Sequence, residues 1–328
     1  MTEANTTTSE TLFLGVDGGG TKCKAKLVSA SGEVLGVGIS GPANPMVDPV
    51  EAKQSILESA QRALSDASLP SSQSHRVVAG VGLAGVNIHS CYQQVSQWQH
   101  PFQAFYLTTD LDIACLGAHQ GQDGAVVVVG TGSCALAKQG TTNLYIGGQG
   151  FLLGDKGSGA WFGLEAVKHC LLTIDGIMPP SILSEQILRE LDCEDAQTIV
   201  SLLARASSSQ FAKLAPSVFD CAIQGDEIAT KMVREGASYI SDLIRRVLVL
   251  SPERISILGG LSHLLLPWLE YDVAKQLTEP RLSPEDGAIL FAQQQMDHFS
   301  MQSVENRGNA YVWHNHGTGS ERSASKAG

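Results

Sequence analysis

The sequence predicts an α/β protein of two lobes, each built on a mixed sheet, and three observations carry that prediction. Apolar runs of period two alternate with amphipathic runs of helical spacing along most of the chain. The opening pattern, an apolar strand passing through glycines into a second strand, begins again at Ala125. At 328 residues the chain is long for one domain and comfortable for two.

In chain order, residues 1–11 are polar, lack the basic start and apolar core of a signal peptide, and are expected to be disordered. The stretch FLGVDGGGTKCKAKLVSASGEVLGVG, residues 13–38, then raises the question of a phosphate loop. A P-loop needs G-x-x-x-x-G-K-[ST] opening a helix, and Gly15 and Gly20 are followed by Thr21 and Lys22 in the wrong order. A dinucleotide fingerprint also demands a helix next. Here Cys23, Ala25 and Leu27 alternate with Lys22, Lys24 and Lys26, which is a strand. Ser29 to Gly32 reads as a turn and Val34 to Ile39 as a further strand, so the glycines close a β-hairpin.

Pro49 to Ser68 carries Ile56, Leu57, Ala60, Ala63 and Leu64 at helical spacing. Val77 to Leu83 is a short strand ending in AGVN, and the segment from Phe102 runs as a strand into TTDLD. The second lobe opens with AVVVVGTGSCALAKQGTTNLYIGGQG, residues 125–150. Two related sheets facing each other would set GGGT and GTGS on opposite sides of one cleft. Ala160 to Leu172, Ser184 to Ala206 and Asp226 to Leu250 read as helices, the last with Ile228, Met232, Tyr239, Ile240, Leu243 and Ile244 inward. Residues 254–269 read as a strand, a Gly-Gly turn and a helix. Ser283 to Met296 is the last helix, with Pro284 in its first turn and Glu285 and Asp286 suited to its N-terminal dipole. The expected lobes are therefore 12–118, joined by the helix 284–297, and 119–283, with a mobile polar tail over 299–328. GTGS recurs in that tail at Gly317 to Ser320, where no strand precedes it.

A net charge of −11 argues against nucleic acid or an anionic membrane as partner, and no apolar run approaches the ~20 residues of a membrane span. Seven scattered cysteines without a C-x-x-C pair read as reduced, mostly buried thiols of a cytoplasmic protein. His119, His169 and His263 lack any ligand spacing, so no catalytic zinc is expected.

Four motifs remain to carry chemistry. In DGGGTK, bare backbone N–H groups of Gly18, Gly19 and Gly20 suit phosphate oxygens, with Thr21 and Lys22 alongside. Gly130 to Ser133, with Thr131 and Gly132 between, repeats that logic. Asp110 and Asp112 follow a strand and could cap a helix beginning near Ile113, or one could cap while the other accepts a hydroxyl proton. Gly259 and Gly260 could pack a helix on a strand, or let an adenine or ribose lie on bare backbone. Beyond these four, the further loop LLGDKGSG carries Asp155, which could meet sugar hydroxyls or an amine.

The order DGGGTK, AGVN, TTD with ACLGAH, GTGS, GDKGSG and LGG resembles the sugar kinases of the BadF/BadG ATPase and N-acetylglucosamine kinase group, most closely the bacterial glucosamine kinases. The resemblance runs from about Phe13 to Ala292. It implies a two-lobed actin-like, ribonuclease H-like ATPase fold with duplicated mixed sheets, ATP and Mg2+ between the lobes, and phosphoryl transfer to the 6-hydroxyl of a hexosamine. It assigns Asp110 as the base, Asp17 as the residue holding Mg2+ through water, and Thr21 and Thr131 to the phosphates. Asn44, Gly148 and Asp155 match sugar-contacting positions, and Gly259 and Gly260 the adenosine side. Where N-acetylglucosamine kinases of the group can place a serine near the acetyl group, this chain has Ala84. An amide buried without that hydrogen bond costs about 1–3 kcal/mol, which favours glucosamine. The resemblance also implies a homodimer.

Two other readings fit less well. Dehydratase-activating ATPases of the superfamily bridge an iron–sulfur cluster through closely placed cysteines, which this sequence lacks. Sugar-sensing repressors carry a DNA-binding helix-turn-helix ahead of the first strand, where this chain has only a short polar segment and an acidic balance.

Overall fold

The glycine-rich opening does turn a strand back on itself. In the computed structural model, which describes residues 10–305, β1 (Leu12–Gly18) pairs antiparallel with β2 (Cys23–Val28), from Phe13 opposite Val28 to Gly18 opposite Cys23. β3 (Val34–Ser40) continues the meander, α1 (Pro49–Asp66) covers it, and β4 (Val77–Leu83) returns parallel to β1. After α2 (His89–Ser96), β5 (Ala104–Thr109) extends the sheet to the order β3-β2-β1-β4-β5. Cys23, Ala25 and Leu27 are buried with Ile56, Ala60, Ala63 and Leu64 of α1, as the period-two face requires.

α3 (Asp110–Ala118) leads into the second sheet, where β6 (Gly124–Val129), β7 (Ser133–Gln139) and β8 (Thr142–Gly147) repeat the meander. β9 (Ile255–Leu258) returns parallel to β6, so the order β8-β7-β6-β9 reproduces β3-β2-β1-β4. Between β8 and β9 lie α4 (Gly159–Ile174), α5 (Ile182–Leu191), α6 (Ala196–Leu203), α7 (Ser208–Ala212), α8 (Ala215–Ile223) and α9 (Glu227–Val247). They bury Phe162, Phe219, Ile187, Ile240 and their neighbours against β6 and β7. Short α10 (Ser262–Leu265) and α11 (Tyr271–Ala274) precede α12 (Pro284–Glu305).

Three details differ from the sequence expectation. The helical run Ser184 to Ala206 is two helices, because Asp192 takes a left-handed φ of 53° and Asp195 starts a new helix by accepting the Thr198 N–H at 2.9 Å. α3 begins at Asp110 rather than near Ile113, and its cap is the Thr109 hydroxyl, which accepts the Asp112 N–H at 3.0 Å. α12 continues to Glu305, into the segment expected to be tail. The remainder of that tail with its second GTGS, and residues 1–9 of the N-terminal segment, lie outside the described residues.

α3 and α12 set the site. α3 packs Leu111, Cys115 and Ala118 on Val126 and Leu136 of the second sheet, while Ile113 faces Gly82 of the first. α12 crosses the first sheet so closely that a Cβ on Gly15 would lie 1.9 Å from the Glu285 carbonyl oxygen. Its Gly287 meets α3 as closely, since a Cβ there would lie 1.9 Å from the Ile113 carbonyl oxygen.

Candidate functional site

The two hairpin turns meet. Gly19 N–H closes the first on the Lys22 carbonyl at 3.0 Å, and Gly130 N–H closes the second on the Gly132 carbonyl at 2.9 Å. Between them the hydroxyls of Thr21 and Thr131 lie 3.0 Å apart. Ser209 of α7 joins this contact by donating to the Gly20 carbonyl at 2.7 Å. Sequence reading missed Ser209, which sits in a polar serine run without periodicity and offers no local signal.

Packing sorts the glycines. A Cβ on Gly18 would strike Leu83 at 2.4 Å, whereas those on Gly19 and Gly20 would meet nothing closer than 3.7 Å. The bare backbone of Gly19 and Gly20 is thus not required by the fold, which leaves it for a ligand. Gly259 is the opposite case: its φ is +101° and a Cβ would lie 2.3 Å from the Val129 carbonyl oxygen, so its left-handed turn and close approach to the end of β6 explain it within the fold. Gly260 faces open space.

The loops expected to hold a sugar hang from the first hairpin. Ala43 N–H donates to the Gly19 carbonyl and Ala84 N–H to the Gly18 carbonyl, both at 2.9 Å. Asn44 Oδ1 accepts the Met46 N–H at 3.0 Å and is where a Cβ on Gly85 would come within 2.6 Å. Across the cleft, Gly148 N–H donates to the Ser133 carbonyl at 3.1 Å.

Four carboxylates line this space. Asp17, at the end of β1, is pushed up to about 7 by burial and then by the charges of Asp110 and Glu285, against Lys22 and Lys24. Glu285 itself is buried in a 3.2 Å ion pair with Lys24, and its Oε2 has no partner among the described residues. Asp110, in the first turn of α3, is pushed up to about 6 by burial, with Asp112 adding to the rise and the Leu111 N–H, 2.9 Å from Oδ1, opposing it. Asp155 holds a φ of +57°, is buried, and is raised by burial against the amides of Ser133 and Gly150. Its Oδ1 has no partner among the described residues, and Oδ2 would lie 2.8 Å from a Cβ on Gly132. The half-buried Cys134 thiol feels the charges of both Asp110 and Asp155, so the two acids from different lobes share one neighbourhood.

No group of three acids, histidines or cysteines is arranged to cage a metal among the described residues. His119 instead contacts the Ala125 carbonyl at 2.9 Å, and His169 the Ser181 hydroxyl at 3.1 Å. All seven cysteines are free, and no helix of the described residues is long and apolar enough to cross a membrane.

The chain is 31% identical over 280 residues to the glucosamine kinase GspK of Vibrio cholerae, covering 85% of this chain and 95% of that protein. It is 28% identical over 256 residues to an N-acetyl-D-glucosamine kinase of Dictyostelium discoideum, covering 73% and 80% respectively. Among solved structures, a candidate N-acetylglucosamine kinase from Chromobacterium violaceum superposes with a TM-score of 0.82 at 29% identity, over 87% of this chain and all of that one (100%). The fold is thus the two-lobed actin-like ATPase fold of sugar kinases. The sequence profile of the BadF/BadG/BcrA/BcrD ATPase family matches residues 14–292, and the chain belongs to that family.

Proposed function

We propose that the protein transfers the γ-phosphoryl group of ATP to the 6-hydroxyl of glucosamine, giving glucosamine 6-phosphate and ADP. The family and its named relatives support an ATP-dependent hexosamine kinase working with Mg2+. The choice of glucosamine rests on a single observation: the buried Asp155 carboxylate leaves one oxygen without a partner among the described residues, in the neighbourhood of Cys134 that it shares with Asp110. Two acids with no described cation on either favour a substrate bearing an ammonium over one bearing a neutral acetamide. Ala84 adds to this by offering an amide no side-chain partner.

In this reading Asp110 accepts the proton of the 6-hydroxyl as it attacks. Burial supports that role, because a carboxyl held near 6 is ionised at neutral pH yet more basic than an ordinary aspartate. Asn44, Ala84, Gly148 and Asp155 orient the sugar. The amides of Gly18, Gly19, Gly20, Gly132 and Ser133, the hydroxyls of Thr21 and Thr131, and the Lys22 ammonium hold the phosphates. Gly259 and Gly260 form the adenosine-side turn, Gly260 offering the bare backbone. Mg2+ arriving with ATP neutralises phosphate charge. Asp17 fits it, since a carboxyl raised by burial and by the charges of Asp110 and Glu285, even against Lys22 and Lys24, would gain from a nearby cation, and the lack of a three-ligand cage among the described residues suits an ion held mostly by phosphate and water. A cytoplasmic homodimer is part of the same proposal, and light scattering on the purified protein tests its size.

The deciding experiment measures ADP release with Mg-ATP and glucosamine, N-acetylglucosamine, glucose or no sugar, for the wild type and Asp155→Asn. Turnover on glucosamine well above the rest, with KM for glucosamine raised in the variant and KM for ATP unchanged, supports the proposal. Equal or faster turnover on N-acetylglucosamine, the substrate in the Dictyostelium relative's name, would replace glucosamine while keeping the kinase. Sugar-independent ADP release would overturn the kinase itself.

A further inference from the structure

The first turn of α3 carries a second acid for which the reaction described above has no use. Asp112 Oδ2 accepts hydrogen bonds from the hydroxyls of Thr108 at 3.0 Å and Thr109 at 2.7 Å, the last residues of β5. Its Oδ1 accepts from the Tyr145 hydroxyl at 2.9 Å, and Lys138 Nζ lies 3.9 Å away. Tyr145 and Lys138 belong to β8 and β7, so this one carboxylate ties the base-bearing turn to the opposite lobe. Thr109 is bonded twice, since its oxygen also caps α3 through the Asp112 N–H at 3.0 Å. Asp110, two residues away, therefore sits on a turn fixed from both sides.

We propose that Asp112 and Tyr145 are positioning residues, which hold Asp110 in register with the second-lobe loops where the sugar and phosphates meet. The inference rests on Asp110 being the base. It has a physical reason: Asp110 reaches its substrate from the first lobe while Asp155 and GTGS stand on the second, and small errors in such alignment are costly in rate. A half-exposed tyrosine on an edge strand contributes little to the core, and its hydroxyl has this one partner among the described residues.

The test compares Tyr145→Phe, Asp112→Asn and Asp110→Asn for kcat, both KM values and thermal midpoint. Tyr145→Phe is expected to lower kcat about 5- to 20-fold, with KM for ATP and the midpoint unchanged, because neither hairpin turn nor core is touched. Asp112→Asn, which removes a negative charge beside Asp110, is expected to lower kcat and also to move the acid limb of the pH profile downward. The other titratable groups of that neighbourhood are Asp17 from β1, Cys134 and Lys138 from β7, Tyr145 from β8 and Asp155 from the loop before α4, and Asp112→Asn leaves all of them in place. Wild-type kcat in Tyr145→Phe beside a dead Asp110→Asn would overturn the positioning role alone. Full turnover in Asp110→Asn would instead remove the base assignment, and this inference with it.

Discussion

Asp110 is held where its own charge is unwelcome. Its carboxyl rises from 3.8 to about 6, so the folded chain binds that proton more tightly than the unfolded one. The stability this confers is complete below about pH 4 and is lost as the pH climbs through 6. Asp110→Asn, similar in size and never charged, is therefore expected to raise stability at pH 8 by about 1–3 kcal/mol while lowering kcat at least about 100-fold. Urea unfolding and the ADP assay, run on the same preparation, check the two halves. In the wild type, kcat/KM should climb with pH along an acid limb near 6. The placement of these motifs was legible in the sequence, since TTD closes one strand and DGGGTK joins two, as residue type and neighbours indicated. The Tyr145–Asp112 bond was not, because residues far apart in sequence met only through the pairing of β7 with β8. Nor could composition tell that Gly259 answers to Val129 while Gly19 answers to nothing in the fold.

Among the elements, α12 and α3 are bound by contacts that admit no side chain. Gly287→Ala would set a methyl 1.9 Å from the Ile113 carbonyl oxygen, and backbone on both sides cannot yield as a flexible side chain would. A loss of at least about 2–3 kcal/mol is expected, read as a lower urea midpoint at constant slope. Gly260→Ala, with open space around it, serves as the control for stability and should show any loss in ATP KM instead. Strands were readable from period two and the long α9 from its apolar stripe. The region from Ser184 to Ala222 was harder, because the left-handed Asp192 and the short α6, α7 and α8 are set by packing around Phe211, Phe219 and Ile187 rather than by local pattern. Glu285 and Asp286 illustrate the same limit: their place at a helix start was visible, but not that they answer Lys24 and Lys26.

At the scale of the molecule, exposed apolar side chains adjoin in sequence the residues proposed to hold the sugar: Met46 and Val47 follow Asn44 in the first lobe, and Leu152 and Leu153 precede Asp155 in the second. Closure of the lobes over a sugar would cover such side chains and keep water from the phosphates. Leu152→Ser with Leu153→Ser is accordingly expected to raise the ratio of ADP released to sugar phosphorylated, measured by assaying both products. The path of the chain has a further consequence for how the protein is made. The face of the first sheet that holds Gly15 and Gly80 is covered by α12, and the ribosome reaches those residues only after threading the whole second lobe. The second sheet, with its helices contiguous in sequence, can finish while the earlier-made lobe still waits for its last piece. Nascent chains arrested before Pro284 should thus be cleaved by protease within residues 12–118 and spared within 124–258, an order of maturation that runs against the direction of synthesis.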